Sequence, residues 1–530
     1  MTRFRTHDVE NQPPPLAPYD AWATDVALRE AVDREGGGWA GDAIGAYGAL
    51  AGGELMELAR AANAHRPVLA AFDRYGHRID EVEFHPAYHA LMRTAVQHGV
   101  AGFAWRHGDR AGAHVARAAL MYLHNQADAG TSCPLTMTYA CVPALRRDAE
   151  VAAFWGPKIA DGVYDPRHVP ADAKRGVTLG MGRTEKQGGS DILTNTTRAE
   201  DARDGTWRIT GHKWFLSAPM SDAFLVLAQA PGGLTCFLLP RILPDGSRNG
   251  LRLQRLKDKL GDWSNASSEV EFHDARATRL GDEGRGVATI LQMVALTRLD
   301  CLLGSASLMR QALVQATHHA RHRRAFGTRL VEQPLMRAVL ADLALDSEAA
   351  TALAFRVARA VDASARDPRE AALARIATAL GKFHVCKQAP AFVAEALECL
   401  GGVGYVEETG MPRLYRQAPL NSGKAAATSS ASTCCARSAA SRTAPMRCSR
   451  NSTRCAAPIP GSTTRCAGCV PGWPPVRPKA TRAISPDGSR PRCRRPRCRA
   501  ATRRSPRPSS PRGSAAVVPA PTACSRAAPR

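Results

Sequence analysis

The segment Met181–Asp191 reads MGRTEKQGGSD and lies where the sequence pattern changes from helical to strand-like. Gly188 and Gly189 permit close backbone approach and dihedral angles that other residues avoid. Thr184 and Ser190 add hydroxyl groups beside the glycine pair. A glycine turn between two strands explains the same residues, so the segment alone leaves both a turn and a ligand-binding loop open.

The sequence pattern on both sides of this segment changes in a defined order. Residues 20–172 are mostly helical, with apolar residues at steps of three and four, as in Ala113–His124. Residues 176–279 carry short alternating or apolar runs between turn signals, which predicts an all-β domain of short strands. Residues 287–400 are helical again. Because strands and helices do not alternate, this α, β, α order argues against a Rossmann cofactor site.

The second helical region predicts a bundle of long neighbouring helices. Two of its helices fit residues 334–363 and 369–400, and a longer helix precedes them. That first helix carries one apolar stripe, formed by Ile290, Val294, Leu299, Leu303, Ala306, Met309, Leu313, Ala316 and Ala320.

The basic character of the chain belongs to its last part. The formal net charge is +23, but residues 423–530 hold 22 Lys and Arg against one acidic residue, Asp487. Residues 1–422 hold 49 basic and 47 acidic side chains, so the charge indicates no particular partner for them. The last part has 16 Pro, one Trp and neither Phe nor Tyr. We expect a disordered tail, because such a sequence cannot bury enough apolar surface.

Cysteine usage and the first residues favour a cytoplasmic protein. Six of the 15 cysteines precede residue 423, and they show no disulfide spacing. Residues 1–20 lack the apolar run that a signal peptide needs. No stretch reads as apolar for long enough to cross a bilayer, so we expect no membrane partner.

Four further segments follow the glycine loop in order. They are GHKWFLSAP from Gly211, KDKLGDWSNASSEVEF from Lys257, RRAFGTRLVEQ from Arg323 and ALECLGGVGY from Ala396. With the loop, this ordered set resembles the acyl-CoA dehydrogenase family along residues 80–420. The loop departs from the family pattern at Arg183, where an aliphatic residue is usual, and at Thr194, where a small residue is usual.

Blocks in the N-terminal half narrow the resemblance. THDVENQPPPL from Thr6, AVDREGGGW from Ala31 and SCPLTMTYA from Ser132 are similar to the AidB-like subfamily, whose members belong to the DNA alkylation response. Ordinary acyl-CoA dehydrogenases lack these blocks. The resemblance therefore extends over nearly the whole of residues 1–422.

The resemblance implies an α+β fold and a flavin enzyme. Residues 1–174 would form an N-terminal helical domain, 175–284 a middle β-domain, 285–422 an incomplete C-terminal helical bundle and 423–530 the tail. The implied reaction is α,β-dehydrogenation of a short or branched acyl-CoA thioester, with hydride transfer to FAD. A homotetramer is implied when the C-terminal helices are intact. The alternative is a DNA-binding or protective flavoprotein scaffold with little turnover.

The resemblance also implies the cofactor-binding residues. Thr184 and Ser190 would bind the flavin through hydroxyl and backbone groups, Phe215 would lie against the isoalloxazine ring, and Ser217 would hydrogen-bond near flavin N5. Arg323 would reach the FAD diphosphate of a neighbouring subunit, where a guanidinium suits two phosphate oxygens. The full set is Met181, Thr184, Gly188, Gly189, Ser190, Phe215, Leu216, Ser217, Arg323, Gln333, Gly401 and Gly402. Without the resemblance, Arg323 is a solvated cation at a helix end and Gly401–Gly402 a helix C-cap.

The catalytic base is assigned to Asp300. The reaction removes the α-proton of the thioester, so it needs a carboxylate aimed at that carbon in a dry pocket. The family carries this carboxylate either on the long helix after the β-domain, where Asp300 falls, or in a Glu-bearing segment after LYR (residues 414–416). Asp300 is one carbon shorter than the usual Glu, and a polar helix residue with a partner is the alternative interpretation.

Metal and nucleic-acid chemistry receive less support. His85 with His89, and the group His318, His319 and His322, have helical spacing but no Cys or acidic ligands to complete a metal site, so we predict no metal. The basic tail could contact double-stranded DNA non-specifically through phosphates, although it offers no aromatic platform for bases.

The sequence after Ser422 resembles out-of-frame translation. The family continues here with a segment close to WEGSGN, whereas this chain reads GKAAATSSASTCCAR from Gly423. When these residues are written in codons with suitably chosen third bases and read from the third base of each codon, the result is EGSGNVICLDVLRA. We infer a frameshift near Ser422 that removes a family helix. Part of the stripe from Ile290 to Leu303 should then face water.

Overall fold

The computed structural model describes residues 6–423, which form helices, then a β-barrel, then helices again. This order confirms the α+β fold class predicted from the sequence. The predicted disordered tail lies outside the described residues.

The N-terminal region is mainly helical, as predicted. Aspartates mark the starts of its helices: the Asp25 carboxylate accepts a hydrogen bond from the Leu28 backbone N–H, and Asp128 from that of Thr131. Its helices are α1 Val26–Arg34, α2 Gly41–Ala51, α3 Glu54–Ala64, α4 Pro86–Gln97, α5 Phe103–Arg106, α6 Ala113–Ala127, α7 Ala129–Ala140, α8 Val142–Leu145 and α9 Ala149–Ala160. An antiparallel hairpin, β1 Val68–Phe72 and β2 Arg78–Glu83, interrupts them.

Seven strands form the middle region. They are β3 Leu179–Gly182, β4 Arg198–Asp201, β5 Trp207–Ser217, β6 Ala223–Ala230, β7 Gly233–Pro240, β8 Leu251–Leu256 and β9 Ser267–Leu280. The strand order is β3-β6-β4-β5-β9-β7, with β8 on β9 and a further pairing of β6 with β7. That last pairing closes five strands into a ring, so their inward side chains share one core.

Strand β5 contains an irregularity that decides which side chains reach solvent. Its pairing with β9 shifts between Lys213 and Leu216, where Trp214 and Phe215 interrupt the register. Extra residues of this kind bend a strand and change the direction of its side chains. Phe215 is 48% exposed while the next residue, Leu216, is fully buried.

Long helices form the C-terminal region. They are α10 Gly286–His322, α11 Pro334–Ala363 and α12 Pro368–Glu398, followed by the short α13 Met411–Gln417 and α14 Leu420–Gly423. A two-residue hairpin, β10 Arg324–Ala325 and β11 Thr328–Arg329, joins α10 to α11. The observed bounds of α11 are those that the apolar pattern predicts.

The apolar stripe of α10 is buried, and the expectation that it faces water is wrong. Ile290, Val294, Leu299 and Leu303 are each at most 1% exposed. Helices α6, α7, α11 and α12 pack against α10 and cover the stripe. Partly exposed apolar side chains lie on other helices, among them Ile376 (36%) and Leu380 (40%) on α12.

Helix α10 is long and apolar enough to cross a membrane by length and composition alone. This finding differs from the expectation, drawn from the sequence, that no stretch is apolar for long enough. However, 61% of its most apolar window is buried inside the protein. A central bundle helix meets the same criterion, so this finding is weak evidence for a membrane segment.

Candidate functional site

A buried ion pair anchors the glycine loop to the barrel. Lys213 Nζ lies 2.6 Å from Glu185 Oε1, and neither side chain reaches solvent. The same ammonium donates to the Leu227 carbonyl at 2.8 Å and to Thr197 Oγ1 at 3.2 Å. Lys213 therefore connects the loop, β5, β6 and the segment before β4.

The charge of Glu185 is compensated from several directions. Its carboxylate accepts hydrogen bonds from the Thr196 N–H at 2.7 Å, the Thr196 hydroxyl at 3.0 Å and Gln187 Nε2 at 2.8 Å. Burial by itself raises the pKa of Glu185, but the Lys213 ammonium and these donors lower it to about 2. Burial lowers the pKa of Lys213, while Glu185 opposes that shift. We conclude that the pair is ionised at neutral pH.

The glycine pair leaves an open edge on the loop. A Cβ atom on Gly189 would lie 2.7 Å from Thr184 Oγ1, so this position has no room for a side chain unless Thr184 moves. A Cβ atom on Gly188 would meet nothing within 4 Å, which marks open space. Ser190 beside them is exposed and Thr184 is half-buried. A ligand can therefore approach the loop backbone closely.

The end of β5 supplies an aromatic wall and a hydroxyl. Phe215 presents its ring to solvent, and the Ser217 hydroxyl lies 2.9 Å from the Ser267 hydroxyl of β9. Leu216 points into the barrel, and Ser268 Oγ donates to its carbonyl at 2.9 Å. Met181 on β3 is half-buried against the core between the barrel and the N-terminal helices.

A cation lies over this aromatic wall. Lys257 Nζ is 3.2 Å from the centre of the Trp214 ring and 4.7 Å from that of Phe215. The ammonium also forms an ion pair with Glu269 at 2.7 Å. The face around Phe215 therefore combines flat apolar surface with positive charge, which suits a flat anionic ligand.

Two other predicted cofactor residues meet at the β10–β11 hairpin. Arg323 ends α10, and its Nη1 donates to the Asn11 carbonyl at 2.6 Å. Gln333 Nε2 donates to the Ala325 carbonyl at 3.1 Å. Gly401 and Gly402 lie apart from them, after α12, where Gly401 has a φ of +64° and both residues are exposed.

Asp300 is held in a buried ion pair. Its carboxylate receives both terminal nitrogens of Arg117, with Nη2 at 2.8 Å from Oδ2, and the Thr136 hydroxyl at 2.7 Å. Arg117 also stacks 3.6 Å from the centre of the Tyr139 ring. These bonds hold the Asp300 carboxylate toward Arg117 and Thr136. Its assignment as the base stays a prediction, and the arrangement gives it a clear structural role.

Histidine and acidic side chains form no metal site among residues 6–423: no group of three or more His, Cys, Asp or Glu is arranged to hold an ion. The ring of His85 stacks on that of His65, and the ring of His318 contacts that of His322, with 4.5 Å between the ring centres in each pair.

Three family models match consecutive parts of the chain. Residues 11–166 match the N-terminal domain of the adaptive response protein AidB, residues 180–275 the middle domain of acyl-CoA dehydrogenases, and residues 284–423 their C-terminal domain. AidB of Escherichia coli (strain K12) is 52% identical over 422 residues, which cover 79% of this chain and 78% of that protein. The chain belongs to the acyl-CoA dehydrogenase family.

Other family members support the same assignment. Acyl-CoA dehydrogenase family member 11 of Caenorhabditis elegans is 32% identical over 380 residues, covering 69% of this chain and 61% of that protein. The solved structure of C. elegans ACDH-11 in complex with C11-CoA has a TM-score of 0.76 and 27% identity, covering 82% of this chain and 76% of that one.

FAD is the cofactor of the acyl-CoA dehydrogenase family, and the described residues fit it. The exposed Phe215 ring offers a wall for the isoalloxazine, and Lys257 beside it suits an anionic group. The open backbone at Gly188 gives room for close approach of a ligand. FAD bound here would supply the acceptor for a substrate hydride.

Glu185 and Lys213 lie in the segments MGRTEKQGGSD and GHKWFLSAP, but the resemblance assigns neither of them a role. Lys213 lies in a segment with a strand-like pattern, and Glu185 lies in the loop before it. A charged residue that points into the protein in either place needs an opposite charge. A search for paired inward charges in the two segments could have found them. Arg117 and Asn11 carry no such signal, because their partners lie 183 and more than 300 positions away.

Proposed function

We propose that this protein binds FAD between the glycine loop and the end of β5 and catalyses α,β-dehydrogenation of an acyl-CoA thioester. The observation that carries the proposal is the exposed Phe215 ring, set out by the irregularity in β5 beside a loop that the Glu185–Lys213 pair holds in place. In this assignment Thr184 and Ser190 bind the flavin, and Ser217 bonds near its N5.

The substrate class follows from the chemistry of the family. A base would take the proton of the α-carbon, and FAD, when bound, would supply the acceptor for the hydride of the β-carbon, so that a double bond conjugated with the thioester forms. We propose a short or branched acyl chain. Because ACDH-11 was solved in complex with C11-CoA, a longer acyl chain is the main alternative substrate.

The proton acceptor decides how fast this reaction runs. Asp300 is engaged by Arg117 and Thr136, so we propose that the main base is the Glu of the family segment missing after Ser422. Removing a positioned base costs about two to four orders of magnitude in rate. Dehydrogenation by the chain as written should therefore be weak.

Anaerobic mixing with acyl-CoA tests the proposal. The protein is loaded with FAD and mixed with isovaleryl-CoA or with C11-CoA, and loss of the oxidised flavin absorbance is followed. We expect slow bleaching with the chain as written and fast bleaching when the reading frame after codon 422 is restored. No bleaching by any acyl-CoA in the restored protein would overturn the dehydrogenase assignment.

A second candidate is a protective flavoprotein of the DNA alkylation response. The specific observation is the match of residues 11–166 to the N-terminal domain of an adaptive response protein. Any DNA binding by the chain as written should be non-specific and fall steeply with salt, because a tail with 22 Lys and Arg acts through phosphates. Binding to duplex DNA that ignores salt, or that follows base sequence, would contradict this account.

Assembly and compartment complete the proposal. We propose a cytoplasmic protein, since the cysteines of residues 6–423 are buried as thiols, as a reducing compartment allows.

We also propose that the frame-restored chain forms a homotetramer. Phe326 at the tip of the β10–β11 hairpin is 98% exposed and Leu335 at the start of α11 is 79% exposed, and a partner subunit would cover them.

A further inference from the structure

The N-terminal segment reaches the far end of the chain at the β10–β11 hairpin. The Asn11 amide donates to the Arg324 carbonyl at 2.9 Å, and the Asn11 side-chain oxygen accepts from the Arg324 N–H at 2.7 Å. The Asn11 carbonyl in turn accepts from Arg323 Nη1 at 2.6 Å. One residue therefore makes three hydrogen bonds to two consecutive arginines.

The geometry of Asn11 is specific to its residue type. Its φ of +53° lies in the left-handed region, which Asn adopts more readily than most residues other than Gly. Its side chain pairs with the N–H and the C=O of Arg324 as a neighbouring strand would. A second contact, from His318 to the Pro14 carbonyl at 2.8 Å, holds the same segment against α10.

These bonds restrict the Arg323 side chain without using up its donors. The backbone of Arg323 is already fixed, because its N–H donates to the His319 carbonyl and its C=O accepts from the Leu330 N–H, both at 2.9 Å. A guanidinium carries five N–H donors, and the Asn11 carbonyl takes one of them. The remaining donors can still engage a phosphate group in a fixed direction.

We propose that Asn11 is a positioning residue that orients Arg323 toward the FAD diphosphate bound by a partner subunit. This inference rests on the proposed function, in which Arg323 binds that diphosphate. Asn11 belongs to the block THDVENQPPPL, which ordinary acyl-CoA dehydrogenases lack, so the dependence would be a property of this subfamily. Holding a long side chain in its bound direction reduces the entropy lost on binding.

Titration of the flavin-free, frame-restored chain with FAD tests the inference, because the proposed contact of Arg323 needs a partner subunit. The variants are Asn11→Ala, Asn11→Gly, which keeps the positive φ, Arg323→Ala and the double variant N11A/R323A. Thr6→Ala is the matched control, because it changes the same segment at a hydroxyl that bonds the neighbouring His7 ring. The readouts are the dissociation constant of FAD from flavin fluorescence and the melting temperature of the flavin-free protein.

We expect both Asn11 variants to raise the FAD dissociation constant about three- to tenfold, because they lose the two side-chain hydrogen bonds to Arg324 that hold the Asn11 carbonyl beside Arg323. Arg323→Ala should raise it at least as much, and N11A should add nothing in that background. Thr6→Ala should behave as the parent chain.

The remaining outcomes separate the two claims. If Arg323→Ala weakens FAD binding and the Asn11 variants do not, the positioning role is wrong and the cofactor role of Arg323 stands. If Arg323→Ala leaves FAD binding unchanged, the cofactor role fails. If N11A lowers only the melting temperature, Asn11 is structural and the inference is overturned. A frame-restored chain that binds no FAD overturns both claims.

Discussion

Glu185 holds its negative charge where solvent does not reach, and the surrounding donors keep the loop of the candidate flavin site in place. Its folded-state pKa, about 2, is below the ordinary value for Glu. The unfolded chain therefore binds this proton more tightly than the folded one. The stabilisation is fully present above about pH 4.5 and is lost as the pH falls toward 2.

We predict that Glu185→Gln removes this part of the acid response. The melting temperature of the parent chain should fall between about pH 4.5 and 2 more steeply than that of the variant. At neutral pH the variant should be less stable, because the buried Lys213 ammonium loses its counter-charge. Glu200→Gln, an exposed carboxylate on β4, is the control. Parallel pH profiles for parent and Glu185→Gln would show that the pair does not carry this linkage.

Asp300 is the second residue whose role a substitution can decide. Asp300→Asn leaves Arg117 buried without a carboxylate, and breaking a buried pair from one side costs about 3–5 kcal/mol of folding free energy. We predict a loss of this size in urea unfolding, with Asp342→Asn on the exposed face of α11 as the control. An Asp300→Asn variant of parental stability that loses only its turnover would instead support Asp300 as the catalytic base.

Only part of the site could be predicted at the level of residues. The glycines and hydroxyls of Met181–Asp191 could be read from the sequence, because residue type limits what such a loop can do. The partner of Asp300 could not, since Arg117 lies 183 positions away along the chain. The spacing of apolar residues along the chain does not indicate which distant residues contact each other.

At the scale of elements, the irregularity in β5 makes the candidate flavin surface. In a regular strand Phe215 would face the same side as the buried Lys213, two residues before it, and nothing in the alternation of WRITGHKWFLS predicts the register shift that turns Phe215 outward. The long helices were predictable because their apolar periods run over many turns. The hairpin β1–β2 was missed because its five and six residues are too short to stand out within a helical region.

The exposed ring on β5 leads to a direct prediction. Phe215→Ala should weaken FAD binding about tenfold, because an aromatic contact contributes about 0.5–1.5 kcal/mol beyond the area that it buries. Phe215→Trp should retain binding. Phe72→Ala is the control, since Phe72 lies on β1 and is 56% exposed. Equal FAD dissociation constants for Phe215→Ala and the parent would remove Phe215 from the site.

At the scale of the whole molecule, the match to the family C-terminal domain stops at residue 423, next to the point where we infer the frameshift. The exposed apolar residues Ile376 and Leu380 on α12 are candidates for cover by the lost helices. Full burial of a side chain of this type contributes about 1.5–3 kcal/mol, and about 1 kcal/mol shifts the melting temperature of a large domain by about 2–4 °C.

We predict that the frame-restored protein melts several degrees above the 530-residue chain. A chain that ends at Ser422 is the control, because it lacks the tail without gaining the family helices. We expect it to melt close to the 530-residue form. Trypsin should remove the Arg-rich tail first. If the restored and the 530-residue chains melt together, the frameshift account of the C-terminal region is wrong.

The FAD content of the purified protein tests the central claim most directly. The frame-restored and the 530-residue chains are expressed, saturated with FAD, freed of unbound flavin and examined by visible absorption, and the flavin is then released by denaturation and measured against the protein. We predict the absorption bands of oxidised flavin and about one non-covalent FAD per restored chain, because the reaction of this family depends on the cofactor as hydride acceptor. A restored chain that stays colourless and takes up no added FAD would contradict the account.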